Sequence, residues 1–213
     1  MSWKAAKTTT HTRGLALRIL IACTHLPAGA RKGSLAGTAG ELPEGLLKLG
    51  HDARLAVPSY PVIEDDASYN VRPVIEGLQV PCHNDEVRHA SVKTCVVDGV
   101  PVYLIGSDEF FREPADPASE DSPQREACLF FARALIAMLG ALRPRWIPEV
   151  IHVNDRRSRM MLTQLNALRA QDYRLAQVVT LASVRSPTRR LAKPYEALYE
   201  EAVSRRNAQA LAA

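Results

Sequence analysis

The chain has 213 residues, of which 46% are hydrophobic and 23% charged, and a formal net charge of +4 at pH 7. This length suffices for one sizeable α/β domain with a tail, and the composition is ordinary for a soluble globular protein. No apolar run approaches the roughly 20 residues that span a bilayer, and no secretory signal opens the chain. We therefore expect a cytoplasmic protein without a membrane partner.

The first 63 residues predict a leader followed by the opening of a doubly wound sheet. Residues 1–16 are basic and contain Ser and Thr without an apolar segment, so we expect a disordered leader. Leu17, Ile19, Leu20, Ile21 and Ala22 form a short apolar run. Residues 27–34 are a loop with Pro, Gly and Ser, and a second apolar run at 53–57 follows a helical pattern. Strand, Gly-rich loop, helix and strand in this order form a βαβ unit, whose ligands bind at the carboxyl ends of the strands.

Alternating elements continue along the chain. The pair Asp98-Gly99 between two β-rich runs is a strong hairpin signal. The patterns predict short strands at 71–75, 78–80, 91–97 and 100–105, a helix at 122–142, a strand at 150–153, a helix at 158–170, a strand at 178–181 and a final helix at 193–212. We therefore predict an α/β fold: a Rossmann-like, doubly wound, mostly parallel sheet over 17–170, with a basic, mainly helical tail over 171–213.

The cysteines and the charge distribution exclude several classes of site. Cys23, Cys82, Cys95 and Cys128 form no CxxC pair, which favours free thiols over a zinc site or a disulfide framework. Residues 143–213 hold 13 Lys and Arg against 6 Asp and Glu. Few aromatic residues lie among them for base stacking, so a solvated helical tail is favoured over a nucleic-acid or phosphate patch.

Six blocks in order carry a family resemblance. They are Arg31-Lys32-Gly33-Ser34-Leu35-Ala36-Gly37, Gly40-Glu41-Leu42-Pro43, Leu49-Gly50-His51-Asp52-Ala53-Arg54, Pro58-Ser59-Tyr60, Gly99-Val100-Pro101-Val102-Tyr103-Leu104-Ile105 and Val150-Ile151-His152-Val153-Asn154-Asp155. Over roughly residues 17–165 the chain resembles the N-terminal, acceptor-side half of the bacterial and plant starch and glycogen synthases, glycosyltransferase family 5. The resemblance implies one half of a GT-B glycosyltransferase and the transfer of glucose from ADP-glucose or UDP-glucose to α-1,4-glucan, without a metal or other cofactor.

Members of this family carry two Rossmann-like domains with the active site between them, in about twice this length. We therefore expect a glucosyltransferase domain that is incomplete or inactive alone, because the donor-side domain is missing. The face which that domain would cover predicts self-association or a protein partner. Two alternatives stay open: a non-catalytic remnant that binds glucan or a partner, and an unrelated Rossmann-like module that binds a nucleotide or another anion through residues 27–40.

The Gly-rich loop is the candidate phosphate site. By resemblance, Arg31 takes the place of the family's loop Lys, with Lys32 one residue later. Gly33 matches the first family Gly, Ser34 replaces the second, and Gly37 stands where the family has Asp. Backbone N–H groups of such a loop and its cations can bind a diphosphate. A plain turn with two surface cations is the alternative.

The block after the 150–153 strand is the candidate sugar site. By resemblance, His152 and Asp155 match the family pattern, and Asn154 replaces the His that faces the transferred sugar. Arg156 and Arg157 replace a Trp and a second His. Asn can hydrogen-bond a hydroxyl group but cannot carry a proton. We therefore assign His152 and Asn154 as candidate catalytic residues, and Arg31, Lys32, Gly33, Ser34 and Asp155 as candidate substrate-binding residues. A buried structural histidine is the alternative for His152.

The segment 192–199 is similar to the last helix of many two-domain glycosyltransferases, which folds back onto the N-terminal domain. The motif is short, and an ordinary amphipathic helix explains it as well.

Overall fold

A computed structural model describes most of the chain, namely residues 16–24, 38–64, 67–112, 122–142, 146–154, 158–172, 175–183 and 192–211. The strands are β1 (Arg18–Ala22), β2 (Asp52–Pro58), β3 (Arg72–Pro81), β4 (Val87–Val97), β5 (Val100–Gly106), β6 (Val150–Asn154) and β7 (Val179–Ser183). The α-helices are α1 (Thr38–Lys48), α2 (Pro61–Glu64), α3 (Ser122–Leu142), α4 (Ser158–Gln171) and α5 (Ala192–Leu211). No helix in these ranges is long and apolar enough to cross a membrane.

The seven strands form one mixed sheet in the order β3-β4-β5-β2-β1-β6-β7. β5, β2, β1, β6 and β7 run parallel, and β4 and β3 extend one edge as antiparallel strands. The chain moves from β1 to β2 on one side and later places β6 on the other side of β1. The predicted α/β, doubly wound, mostly parallel sheet is confirmed, and its topological switch point lies between β1 and β6.

Helices cover both faces of the sheet. Leu20 and Ala22 of β1 pack into the cluster covered by α3 and α4, whereas Ile19 and Ile21 pack into the cluster covered by α1 and α5. All four side chains are fully buried. This explains why β1 is apolar at every one of these positions: side chains alternate between the two faces of a strand, and in a parallel sheet both faces are covered.

The edge of the sheet differs from the prediction. The two short strands expected at 71–75 and 78–80 are one strand, β3, which pairs with β4 through two register shifts. Gly77 lies within the second shift, between Ile75 and Leu78, with φ +64°, a backbone conformation that residues with a side chain rarely adopt. The predicted hairpin between β4 and β5 is confirmed, and Asp98 and Gly99 adopt the left-handed conformation of a type I′ turn, with φ 51° and 79°.

The last helix, α5, lies against the sheet on the same face as α1. Ala192, Tyr199 and Val203 are its buried residues, and they share an apolar cluster with Leu42 and Leu46 of α1. Their spacings of seven and four residues place them on one stripe of the helix. α5 therefore belongs to the packed core of this domain.

Candidate functional site

The switch point brings the carboxyl ends of β1 and β6 side by side. The Cys23 thiol, just after β1, donates to the backbone carbonyl of Asn154, the last residue of β6, at 3.2 Å. The Tyr60 hydroxyl after β2 reaches the carbonyl of Thr24 at 3.5 Å. In doubly wound sheets the crevice at this point holds the ligand, so these strand ends are the candidate site.

Only part of the predicted site can be located. Five residues predicted for it lie outside the residues that the structure describes: Arg31, Lys32, Gly33, Ser34 and Asp155. The other two, His152 and Asn154, lie two residues apart on β6 and point to the same face of the sheet, toward α5. The structure thus describes the predicted sugar site in part.

His152 is a fully buried residue with both ring nitrogens engaged. Its Nδ1 lies 2.5 Å from the hydroxyl oxygen of Tyr199 on α5, and its Nε2 lies 2.9 Å from Oγ of Ser183 on β7. The ring of Tyr195, one helical turn before Tyr199, lies 5.0 Å from the imidazole ring between centroids. Because both ring nitrogens of the fully buried His152 already have partners, its side chain acts on a ligand only through its neighbours.

Burial keeps the side chains of His152 and Tyr199 uncharged at pH 7. The loss of solvation lowers the pKa of His152 to about 4, so the imidazole is uncharged at pH 7. The same cause, together with the neighbouring Tyr195, raises the pKa of the Tyr199 hydroxyl far above its ordinary value. Tyr199 therefore keeps its proton and can donate it in a hydrogen bond.

Asn154 carries a buried donor without a partner. Its Oδ1 accepts a hydrogen bond from the Ser183 hydroxyl at 3.1 Å, and the residue is 2% exposed. Its Nδ2 is buried and has no hydrogen-bond partner among the described residues. A buried unpaired donor costs about 1–3 kcal/mol, and such a group at a strand end is a candidate contact for a ligand oxygen.

A second polar cluster lies at the carboxyl ends of β2 and β5. Ser59 donates to one carboxylate oxygen of Glu64, and the Lys93 ammonium group donates to the other at 2.5 Å. Burial alone would raise the pKa of Glu64, but these two hydrogen bonds outweigh it and lower the pKa. The three residues line an open cleft of about 330 Å³, and their polar groups satisfy one another.

The segment 51–54 serves the structure at the opposite end of β2. The His51 Nδ1 accepts from the backbone N–H of Leu17 at 3.2 Å, so Nε2 carries the proton and donates to Glu196 of α5 at 3.0 Å. Asp52 accepts two hydrogen bonds from Arg54, at 2.9 and 3.0 Å. These contacts fix the start of β1 and one turn of α5.

Trp146 completes this structural cluster. Its indole Nε1 donates to Asp52 Oδ2 at 2.7 Å, and its ring lies 4.2 Å from the guanidinium carbon of Arg54. Arg54 also donates to the Tyr103 hydroxyl at 2.6 Å. Burial opposes the charge on Asp52, but hydrogen bonds from Arg54 and Trp146 prevail and lower the pKa of Asp52.

Sequence reasoning missed the partners of His152. The two tyrosines lie four residues apart, the spacing of one helix face, and they fall within the 192–199 segment that resembles a family helix. That spacing was the available signal for Tyr195 and Tyr199. Ser183 offered none, because a serine at a strand end is common and its register against Asn154 appears only in the sheet.

Comparison with known proteins identifies the family. The profile described as the starch synthase catalytic domain matches residues 18–186. Two glycogen synthases are similar in sequence: that of Geobacillus stearothermophilus is 32% identical over 146 residues, and that of Vibrio vulnificus (strain CMCP6) is 30% identical over 174. These alignments cover 65% and 79% of this chain but only 27% and 34% of the relatives. The chain thus spans about a third of the length of the proteins it matches.

A solved structure shares the fold. The catalytic domain of starch synthase IV from Arabidopsis thaliana, solved with ADP and acarbose, superposes with a TM-score of 0.56 at 18% sequence identity. The superposition covers 78% of this chain and 33% of that one. The blocks quoted from the sequence, the switch-point topology and the profile over most of the chain agree, and the chain belongs to the starch synthase catalytic domain family.

Proposed function

We propose that this domain is the acceptor-side half of a starch or glycogen synthase-type glucosyltransferase, that it binds α-1,4-glucan at Asn154, and that it does not transfer glucose alone. The observation that carries the proposal is the buried Nδ2 of Asn154 at the switch point, which finds no hydrogen-bond partner in the part of the chain that the structure describes. A glucan offers hydroxyl and ring oxygens that accept such a hydrogen bond without any charge. The position also corresponds, by resemblance, to the family's sugar-facing histidine.

The donor would bind at the Gly-rich loop that follows β1 in the sequence. Transfer from a nucleotide-glucose requires stabilisation of the diphosphate leaving group, which cations and backbone N–H groups supply. Arg31 and Lys32 offer the cations, Gly33 and Ser34 the loop backbone, and Asp155 a carboxylate next to the sugar site. The starch synthase IV structure was solved with ADP and acarbose, which supports this division into a nucleotide site and a glucan site.

The same residues argue against turnover by the chain alone. Asn154 cannot carry a proton or a positive charge where the family has histidine. His152 is neutral, buried and bonded on both nitrogens. Gly37 offers no carboxylate in place of the family's Asp. By resemblance, the active site of this family also lies between two Rossmann-like domains, and this chain spans about a third of the length of its relatives.

Glucan binding is tested by titrating the purified chain with maltoheptaose in a calorimeter, with cellohexaose as the β-linked control. We expect binding of maltoheptaose only, and a loss of about tenfold in affinity for Asn154→Leu, since one lost hydrogen bond of about 1.4 kcal/mol is a factor of ten. Asn166→Leu, an exposed asparagine on α4, is the matched control and keeps the affinity.

A second measurement uses the wild-type chain, so that the proposal can be tested even if Asn154→Leu folds poorly. In the wild-type chain, maltoheptaose is expected to shift the side-chain NH₂ resonance of Asn154 in a ¹H–¹⁵N spectrum, because Nδ2 gains an acceptor. Absence of binding, or binding that leaves this resonance in place, would contradict the assignment of the glucan to Asn154.

Transfer activity is tested by glucose incorporation into glycogen from ADP-glucose and from UDP-glucose. We expect no turnover with either donor by the purified chain. Turnover that disappears in the double variant Arg31→Ala/Lys32→Ala would overturn this expectation, because it would show a working donor site in this chain. Binding of ADP, weakened in the same double variant, is expected if the loop holds the diphosphate.

A further inference from the structure

We propose that Tyr199 of α5 is a positioning residue that fixes the direction of a buried hydrogen-bond chain, Tyr199–His152–Ser183–Asn154, and thereby presents the amide N–H₂ of Asn154, rather than its oxygen, to the ligand. The inference rests on the proposed function, because it concerns the same site. It assigns to α5 a role that neither the fold nor the family membership states.

The direction of the hydrogen-bond chain follows from counting the protons that its members can donate. With Asn154 Oδ1 facing Ser183, as in the structure, the Ser183 hydroxyl donates its one proton to Oδ1, so its oxygen accepts from His152 Nε2. A neutral imidazole carries one proton, so Nδ1 is then an acceptor. The Tyr199 hydroxyl, 2.5 Å from Nδ1, supplies the proton for that bond. Every bond in the chain therefore points from α5 toward Asn154.

The hydrogen-bond chain has one competing arrangement. If the Asn154 amide were rotated, Nδ2 would donate to Ser183, Ser183 to His152 Nε2, and His152 Nδ1–H to the Tyr199 oxygen. Asn154 would then present its carbonyl oxygen to the site. Among the described residues, His152 Nδ1 is the hydrogen-bond partner of the Tyr199 hydroxyl. In the competing arrangement Nδ1 carries a proton and cannot accept, so the Tyr199 proton has no acceptor there. A fully buried hydroxyl without an acceptor is costly, so Tyr199 selects the first arrangement.

The consequence for binding is a choice of ligand atom. With the chain pointing toward Asn154, the site offers hydrogen-bond donors and selects a ligand oxygen that accepts. With the chain reversed, it offers an acceptor and selects a hydroxyl that donates. Removal of the Tyr199 hydroxyl leaves nothing that fixes the direction, and both arrangements are then populated.

The test compares Tyr199→Phe with Tyr195→Phe. The second variant removes a hydroxyl from the neighbouring ring on the same helix and leaves all the hydrogen bonds between Tyr199 and Asn154 in place. ¹⁵N spectra at pH 7 distinguish the protonated and unprotonated nitrogens of His152, which is assigned by comparison with His152→Gln. In the wild-type chain we expect Nδ1 unprotonated and Nε2 protonated. In Tyr199→Phe we expect the two ¹⁵N shifts to move toward each other and the affinity for maltoheptaose to fall several-fold; Tyr195→Phe changes neither.

Each result decides between the alternatives. A protonated Nδ1 in the wild-type chain overturns the inference. So does a Tyr199→Phe variant with unchanged ¹⁵N shifts, whether or not its affinity falls, because the hydroxyl then acts only through packing. If the shifts behave as expected but the wild-type chain does not bind maltoheptaose, the hydrogen-bond chain stands and the proposed glucan site fails.

Discussion

Lowering the pH from 7 to 4 is expected to reduce the free energy of unfolding by about 3 kcal/mol through His152 alone. The folded-state pKa of His152 is about 4, against 6.5 for an unperturbed histidine. Below pH 6.5 the unfolded chain binds a proton that the folded chain does not, so stability is lost as the pH falls from 6.5 to 4. The shift of about 2.5 units corresponds to about 3 kcal/mol at 1.36 kcal/mol per unit.

Urea unfolding at a series of pH values measures this effect. Among the described residues, the side chains in contact with the His152 ring are those of Tyr195, Tyr199 and Ser183, and none of them is a carboxylate or a basic group. His152→Gln is expected to reduce the difference in the free energy of unfolding between pH 7 and pH 4, and the same substitution at the exposed His89 is the matched control. A His152→Gln curve that runs parallel to the wild-type curve would contradict the buried neutral state.

Replacement of Trp146 by alanine is expected to destabilise the domain by about 3–5 kcal/mol, the usual cost of removing a buried large aromatic side chain. Trp146 is 5% exposed, donates to Asp52 and covers the Arg54 guanidinium group. Its loss leaves a cavity and uncovers one face of the Arg54 guanidinium group, which is already partly exposed. This loss is a large fraction of the 5–15 kcal/mol by which domains are typically stable.

The matched variant for this prediction is Trp146→Phe, which keeps an aromatic ring over Arg54 and removes the indole N–H. It is expected to cost about 1 kcal/mol, the value of one hydrogen bond. Urea unfolding midpoints at pH 7 measure both variants. Equal losses for the alanine and phenylalanine variants would show that the hydrogen bond to Asp52, and not the packing, holds this corner of the domain.

The central sheet was predictable because burial on two faces produces a strong pattern. β1 is apolar without alternation from Ile19 to Ala22, β6 is apolar apart from His152 and Asn154, and each strand is followed by a break in the pattern. β3 was not predictable as one strand, because Gly77 and two register shifts interrupt the alternation on which the prediction relied. An edge strand also buries fewer side chains, and its pattern is weaker.

The candidate site was predictable only at the level of single residues. His152 and Asn154 were found because they fall within a family block, but the same block could not show that His152 is buried. That property depends on α5, which reaches the site from 47 residues further along the chain. The segment 51–54 shows the opposite case: it supports the family assignment, and its side chains form a structural cluster away from the switch point.

The contacts of α5 also bear on the order in which the chain can assemble during synthesis. His51 and Glu196 are 145 residues apart, and β1, β2, β5 and β6 are all translated before the helix that covers one of their faces. Until residue 199 leaves the ribosome, the imidazole of His152 lacks its Tyr199 partner, and the buried stripe of α1 lacks its cover. The sheet face that α5 covers, and with it the imidazole of His152, therefore stays open to solvent until α5 has been synthesised.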